Sequence, residues 1–264
     1  MTAETAVYNI QKKSEKLFRN AYLILFSFFF LLFISFCSGE DLSVKGKFVK
    51  GRYAGNVFEN KDVRALAVAA AGGDTFSVYE LIHEKKINVN SQGKDGITPL
   101  LWAFLAKNKD GYRELLKNGA NPDLEAKDVF SVTGLALGYT DDTEYFKLAL
   151  EYGANPDHIY KRIGLPLIMN ACMAKFNKDQ LKWLVEAGAD INIKGVQGNT
   201  PVMFCAEMRR YDLVLYLLER GSDYKTADND GTDLKKKILD NTIDPELDPV
   251  QNEYREKALE IISR

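Results

Sequence analysis

Few side chains in this chain have the chemistry of a reactive centre, and their spacing limits what they can do. There are two histidines, His83 and His158, far apart in sequence. A catalytic or metal-binding role would require such groups to converge. The three cysteines are Cys37, Cys172 and Cys205. A structural zinc site needs four ligands, and no His/Cys cluster supplies them. Gly-x-Ser-x-Gly, His-Glu-x-x-His and a phosphate-cradling glycine loop are all missing from the sequence. Aspartate and glutamate total 37 against 35 lysines and arginines, a net charge of −2. That balance gives no overall field to attract nucleic acid, and no basic tract interleaves with aromatics in the repeated region. The expected chemistry is therefore recognition. No catalytic residue, cofactor or metal is expected, and the chain is read as a non-enzyme.

The elements that would position a recognition surface show themselves as a repeated phrase. It reads Gly119-Ala120-Asn121-Pro122-Asp123, Gly153-Ala154-Asn155-Pro156-Asp157, Gly188-Ala189-Asp190-Ile191-Asn192 and Gly221-Ser222-Asp223, with its glycines 34, 35 and 33 residues apart. Each phrase follows an apolar run, such as Leu181 to Val185 or Leu213 to Leu218. Glycine there can take the left-handed conformation that stops a helix, and the following Asn or Asp can turn the backbone with its own side chain. A second phrase keeps phase with the first. Thr98-Pro99-Leu100 and Thr200-Pro201-Val202 each precede a glycine stop by 21 residues. Proline at the first helical position removes an N–H that would lack a partner anyway. Each unit thus reads turn, short helix, turn, longer helix, glycine stop. A period near 33 marks stacked two-helix units.

On these motifs the sequence resembles the ankyrin repeat over about residues 62–238. The resemblance implies an all-α fold: an α-solenoid of about five ankyrin-like repeats with a C-terminal capping helix. Three departures stand out. Leu101 and Met203 occupy the usual histidine place, the unit at Ser131 lacks its proline, and Lys86 stands where the first glycine stop belongs. Asn60 is the expected cap of the first repeat helix, and Asp248-Pro249 the expected start of the last helix. The expected organisation is an N-terminal signal peptide or membrane anchor over 1–39, a linker over 40–60, repeats over 61–240 and the capping helix over 241–264.

Residues 21–36 form an uncharged apolar run behind Lys12, Lys13, Lys16 and Arg19. A comfortable membrane span wants about 20 apolar residues, so this shorter run suits the core of a secretory signal. Ile34-Ser35-Phe36-Cys37 resembles a bacterial lipoprotein signal, with Cys37 the residue that would carry lipid, although Phe36 departs from the pattern. Ordinary cleavage, lipidation at Cys37 and an uncleaved anchor all stay open. The expected location is the periplasm, or the membrane facing it.

In an ankyrin stack, loop tips and inner-helix surfaces usually meet the partner. Carried onto this sequence, that points to Trp102, Tyr139, Met173 and Met208 on the inner helices. On the loops it points to Tyr160, Arg162, Lys194, Gln197 and Asp228. Cys172 and Cys205 fall on adjacent inner helices. Packed helices lie about 9–10 Å apart, beyond the Cα separation of about 7 Å that a disulfide tolerates. They are expected to be separate buried thiols. A signal ahead of ankyrin-like repeats resembles exported bacterial proteins, including immunity proteins that neutralise type VI-secreted toxins such as phospholipases. The expected partner is another protein, a secreted toxin or a periplasmic enzyme, and not nucleic acid. A periplasmic scaffold that stabilises a resident enzyme, or a membrane-tethered structural protein, are the alternative readings.

Overall fold

The computed structural model describes residues 48–127, 129–138, 140–173 and 179–264. The chain is an all-α solenoid, entered through a short hairpin, β1 (Phe48–Val49) with β2 (Arg52–Tyr53), and a single turn, α1 (Ala54–Val57). Six helix pairs follow among the described residues. They are α2 (Lys61–Gly72) with α3 (Thr75–His83), α4 (Pro99–Leu105) with α5 (Lys109–Lys117), and α6 (Val132–Gly138) with α7 (Glu144–Glu151). The series continues as α8 (Leu167–Met173) with α9 (Asp179–Glu186), α10 (Pro201–Glu207) with α11 (Tyr211–Glu219), and α12 (Leu234–Asp240) with α13 (Pro249–Ile262). The first helices of the pairs stack on one another, α2 on α4, α6 on α8, α8 on α10 and α10 on α12, while α13 lies along α11. The stack thus runs one helix pair beyond the clear motifs, because Asp233-Leu234, two residues after Gly231, starts α12 as Thr200-Pro201, two residues after Gly198, starts α10.

The starts are set by side chains that satisfy otherwise unpaired N–H groups. Asn60 Oδ1 accepts from Asp62 N at 2.8 Å, Thr98 Oγ1 from Leu101 N at 3.1 Å and Asp248 Oδ1 from Gln251 N at 3.0 Å. Pro99, Pro201 and Pro249 open their helices. The stops at Gly119, Gly153, Gly188 and Gly221 all have positive φ. Lys86, which replaces the first glycine, takes the same left-handed backbone with φ of 55°.

Between repeats the turns are tied by a continuous ladder. Within each turn an Asn or Asp oxygen accepts the N–H two residues on: Asn88 from Asn90, Asn121 from Asp123, Asn155 from Asp157, Asp190 from Asn192 and Asp223 from Lys225. Between turns, Asn90 Oδ1 accepts from Asn121 N at 2.7 Å and Asp123 Oδ2 from Asn155 N at 2.6 Å. Asp157 Oδ1 then accepts from Asp190 N at 2.7 Å, and Asn192 Oδ1 from Asp223 N at 2.8 Å. One short acidic or amide side chain thus turns each loop, and the one two residues on fixes its distance to the next.

Apolar faces of neighbouring pairs close into one continuous core that includes Leu66, Leu100, Leu115, Leu135, Leu167, Leu184, Leu217 and Ile238. Burying each such side chain contributes about 1.5–3 kcal/mol. At one point the backbones themselves meet: a Cβ added to Gly111 on α5 would lie 1.8 Å from the Ala70 carbonyl oxygen.

Cys172 on α8 and Cys205 on α10 are joined by a disulfide, with Cα atoms 5.1 Å apart. The expectation of two separate thiols is corrected. The 9–10 Å spacing belongs to helix axes, whereas each Cα stands about 2.3 Å off its axis. Two residues on facing sides therefore approach to about 5 Å, within disulfide reach.

Candidate partner-binding surface

Loops project as fingers, the β1–β2 entry hairpin being the first and one more following between each successive helix pair. The third and fourth are hairpins: β3 (Glu125–Ala126) with β4 (Val129–Ser131), and β5 (Ile159–Tyr160) with β6 (Leu165–Pro166). Successive strand residues point to opposite faces. In β5 this turns Tyr160 into the core and leaves Ile159 exposed.

Three of the expected contact residues are corrected, the first of them by that alternation. Tyr160 is buried, its hydroxyl pushed above the ordinary phenol value by desolvation. Trp102 is fully buried, edge-on to Phe58 at 5.7 Å between ring centroids, because its position on the short helix α4 faces the entry segment. Asp228 is spent internally. Its side chain is 4% exposed, its Oδ2 lies 2.7 Å from Lys237 Nζ, and its Oδ1 accepts from Asp230 N and Thr232 N. Burial works to raise its carboxyl, but the bond and charge of Lys237 and the backbone N–H groups hold it below the usual range.

The remaining expected residues divide between two places. Arg162, Lys194 and Gln197 are exposed on the fourth and fifth fingers. Met173 and Met208 are half-buried, at the end of α8 and just past α10, close in sequence to the disulfide cysteines. Tyr139 and Cys37, with the apolar run 21–36, lie outside the described residues. Among the described residues no helix is long and apolar enough to cross a membrane.

Sequence reasoning missed two apolar residues at the finger tips, Ile159, 43% exposed, and Ile163, 42%, which stand near Val196, a loop-tip residue 71% exposed. The period-two alternation around Tyr160 was the available signal for Ile159. Phe76 and Tyr79 are also exposed on α3, where Tyr79 stacks on His83 at 4.3 Å.

The histidines serve separate structural contacts. His83 Nε2 is 2.6 Å from Asn118 Oδ1. His158 Nε2 is 3.2 Å from Glu125 Oε1, an ion-pair distance without good hydrogen-bond alignment, and its ring edge meets Tyr160. No group of three or more His, Cys, Asp or Glu among the described residues could hold a metal ion. An open depression of about 270 Å³ on the outer helices is lined by Lys182, Asp212, Tyr216, Glu219 and Tyr254.

With this geometry in hand, known proteins offer a comparison. The family described as "Ankyrin repeats (3 copies)" matches residues 135–228. Protein PhlB of Serratia liquefaciens is 29% identical over 153 residues, which is 58% of this chain and 66% of PhlB. The chain thus spans just under two thirds of PhlB's length. A solved complex of the Bd0816 predatory endopeptidase from Bdellovibrio bacteriovorus with immunity protein Bd3460 aligns at a TM-score of 0.55 and 25% identity. The alignment covers 74% of this chain and 96% of the matched one. EF0377, an ankyrin repeat protein, aligns at a TM-score of 0.58 and 23% identity over 78% of this chain and 99% of its own. The chain carries ankyrin repeats, and such stacks are protein-interaction modules.

Proposed function

We propose that this protein is an exported binding module that holds a secreted enzyme inactive, in the manner of an immunity protein. The observation that carries the reading is the likeness of the stack to a chain of the solved complex between a predatory endopeptidase and an immunity protein. A rigid row of fingers beside the inner helices offers a long surface that can cover an enzyme's cleft. The Cys172–Cys205 disulfide supports export, because such bonds persist in oxidising compartments and are rare in the cytosol. The apolar run 21–36 behind a basic N-terminal segment supports the same route, with Cys37 the residue that would carry lipid. Delivery of the target by type VI secretion, and a phospholipase as that target, are narrower forms of this proposal.

Co-purification tests it. The full chain, tagged at its C-terminus and recovered from the native host envelope, is expected to bring down a secreted enzyme in stoichiometric amount. A resident housekeeping enzyme would replace inhibition by scaffolding. Recovery of no partner would remove the binding reading.

A further inference from the structure

The fourth and fifth finger tips form one surface. Val196 lies directly over Gly164, where an added Cβ would come within 2.0 Å of Val196 Cγ2, so it adjoins Ile163 on the neighbouring finger. Ile159, Ile163 and Val196 are all exposed. Lys161, Arg162 and Lys194 stand among them, also exposed. Residues 158–164 and 194–197 contain no acidic side chain. Among the neighbouring carboxylates, Asp223, whose carboxyl the Lys194 charge helps hold low, accepts from Thr226 and Lys225 N, and Asp230 stands exposed beside Asn229. Asp157 and Asp190 accept ladder N–H groups, and Glu125 takes the N–H of Lys161 and faces His158.

Both tips are also held in place. Lys161 N donates to Glu125 Oε1 at 3.2 Å, and the Arg162 guanidinium donates to the Lys127 carbonyl at 3.3 Å. On the fifth finger, Asn229 N donates to the Gln197 carbonyl at 3.0 Å and Asn229 Nδ2 to the Val196 carbonyl at 3.2 Å. A tip whose backbone is already fixed loses little entropy on binding. Aliphatic side chains projected into water from such a tip, framed by cations, are the complement of an apolar side chain flanked by carboxylates.

We propose that this patch is the anchor of the partner interface, and that the partner presents an acidic loop with an apolar residue at its centre. This rests on the binding-module reading and adds the chemistry of the contact.

The test uses displayed random dodecapeptides as probe, selected on the full-length protein immobilised in mild detergent. Enriched peptides should carry Asp or Glu around an aliphatic or aromatic residue. Their affinity should fall about tenfold or more for Lys161→Glu/Arg162→Glu/Lys194→Glu and for Val196→Asp. A Gln triple variant, with unchanged thermal melting, should show an intermediate loss. Peptides without acidic enrichment, or peptides that bind the charge-reversed protein equally well, would overturn the patch. So would no enrichment over Val196→Asp. None of these results touches the co-purification outcome, which judges the binding reading separately.

Discussion

Cys172 and Cys205 lie 33 residues apart in sequence, one repeat period, and are bonded between consecutive inner helices. In a solenoid each unit contacts only its neighbours, so a bond across one interface strengthens the link through which the later repeats are held. Closing a loop of this length contributes about 3–4 kcal/mol by restricting the unfolded chain. Cys172→Ala/Cys205→Ala is expected to lose about that much in urea unfolding, with the loss concentrated in α10 to α13 by hydrogen exchange. Protein drawn from the host envelope under thiol-blocking conditions should yield the joined peptide by mass spectrometry. A full count of free thiols there would contradict it.

The ladder of turns makes a second expectation. Asp157 Oδ1 bridges to Asp190 N, and an amide oxygen can accept that bond as a carboxylate does. Asp157→Ala should cost about 1–2 kcal/mol, whereas Asp157→Asn should cost much less. Equal losses for the two would mean that charge, and not the accepted bond, holds the turns together.

Much of the stack was legible because its signals are local. Gly119 and Thr98-Pro99 specify a stop and a start whatever surrounds them. Lys86 breaks that pattern, and its loop keeps the left-handed geometry that a residue with a Cβ adopts only at an energetic cost. What could not be read is where side chains point once helices pack. Trp102 and Tyr160 looked like interface aromatics by type, yet α4 is covered on most sides and β5 alternates inward at Tyr160. Asp228 looked like a free loop acid because its partner Lys237 lies on the next inner helix. The disulfide was missed for want of a side-chain direction, not of a spacing.

Gly111 offers a packing test. Its missing side chain lets α5 reach the Ala70 carbonyl on α2. Gly111→Ala should destabilise by about 2–3 kcal/mol as the first two pairs are forced apart, even though alanine favours helix. A stabilised variant would mean that the close approach does not occur.

Acid should loosen the C-terminal repeats. Asp223 is held below the usual carboxyl range by its bonds from Thr226 and the Lys225 N–H. Asp212 and Asp228 are held low by Arg210 and Lys237 against the opposing effect of burial. Depressed carboxyls contribute stability that is complete above the unfolded value of about 3.9 and is lost as pH falls through their folded values. The melting temperature should therefore drop once pH passes below about 4. Asp223→Asn should flatten that dependence. A profile that is the same in the variant would remove Asp223 from the linkage.

Inhibition of the bound enzyme is the direct test of function. The enzyme recovered with the full chain would be separated and assayed while the purified full-length protein is added back. Activity should fall in proportion to the protein added and reach its minimum at one chain per enzyme. An enzyme that stays fully active in the saturated complex would contradict the proposal that this repeat stack is an inhibitor.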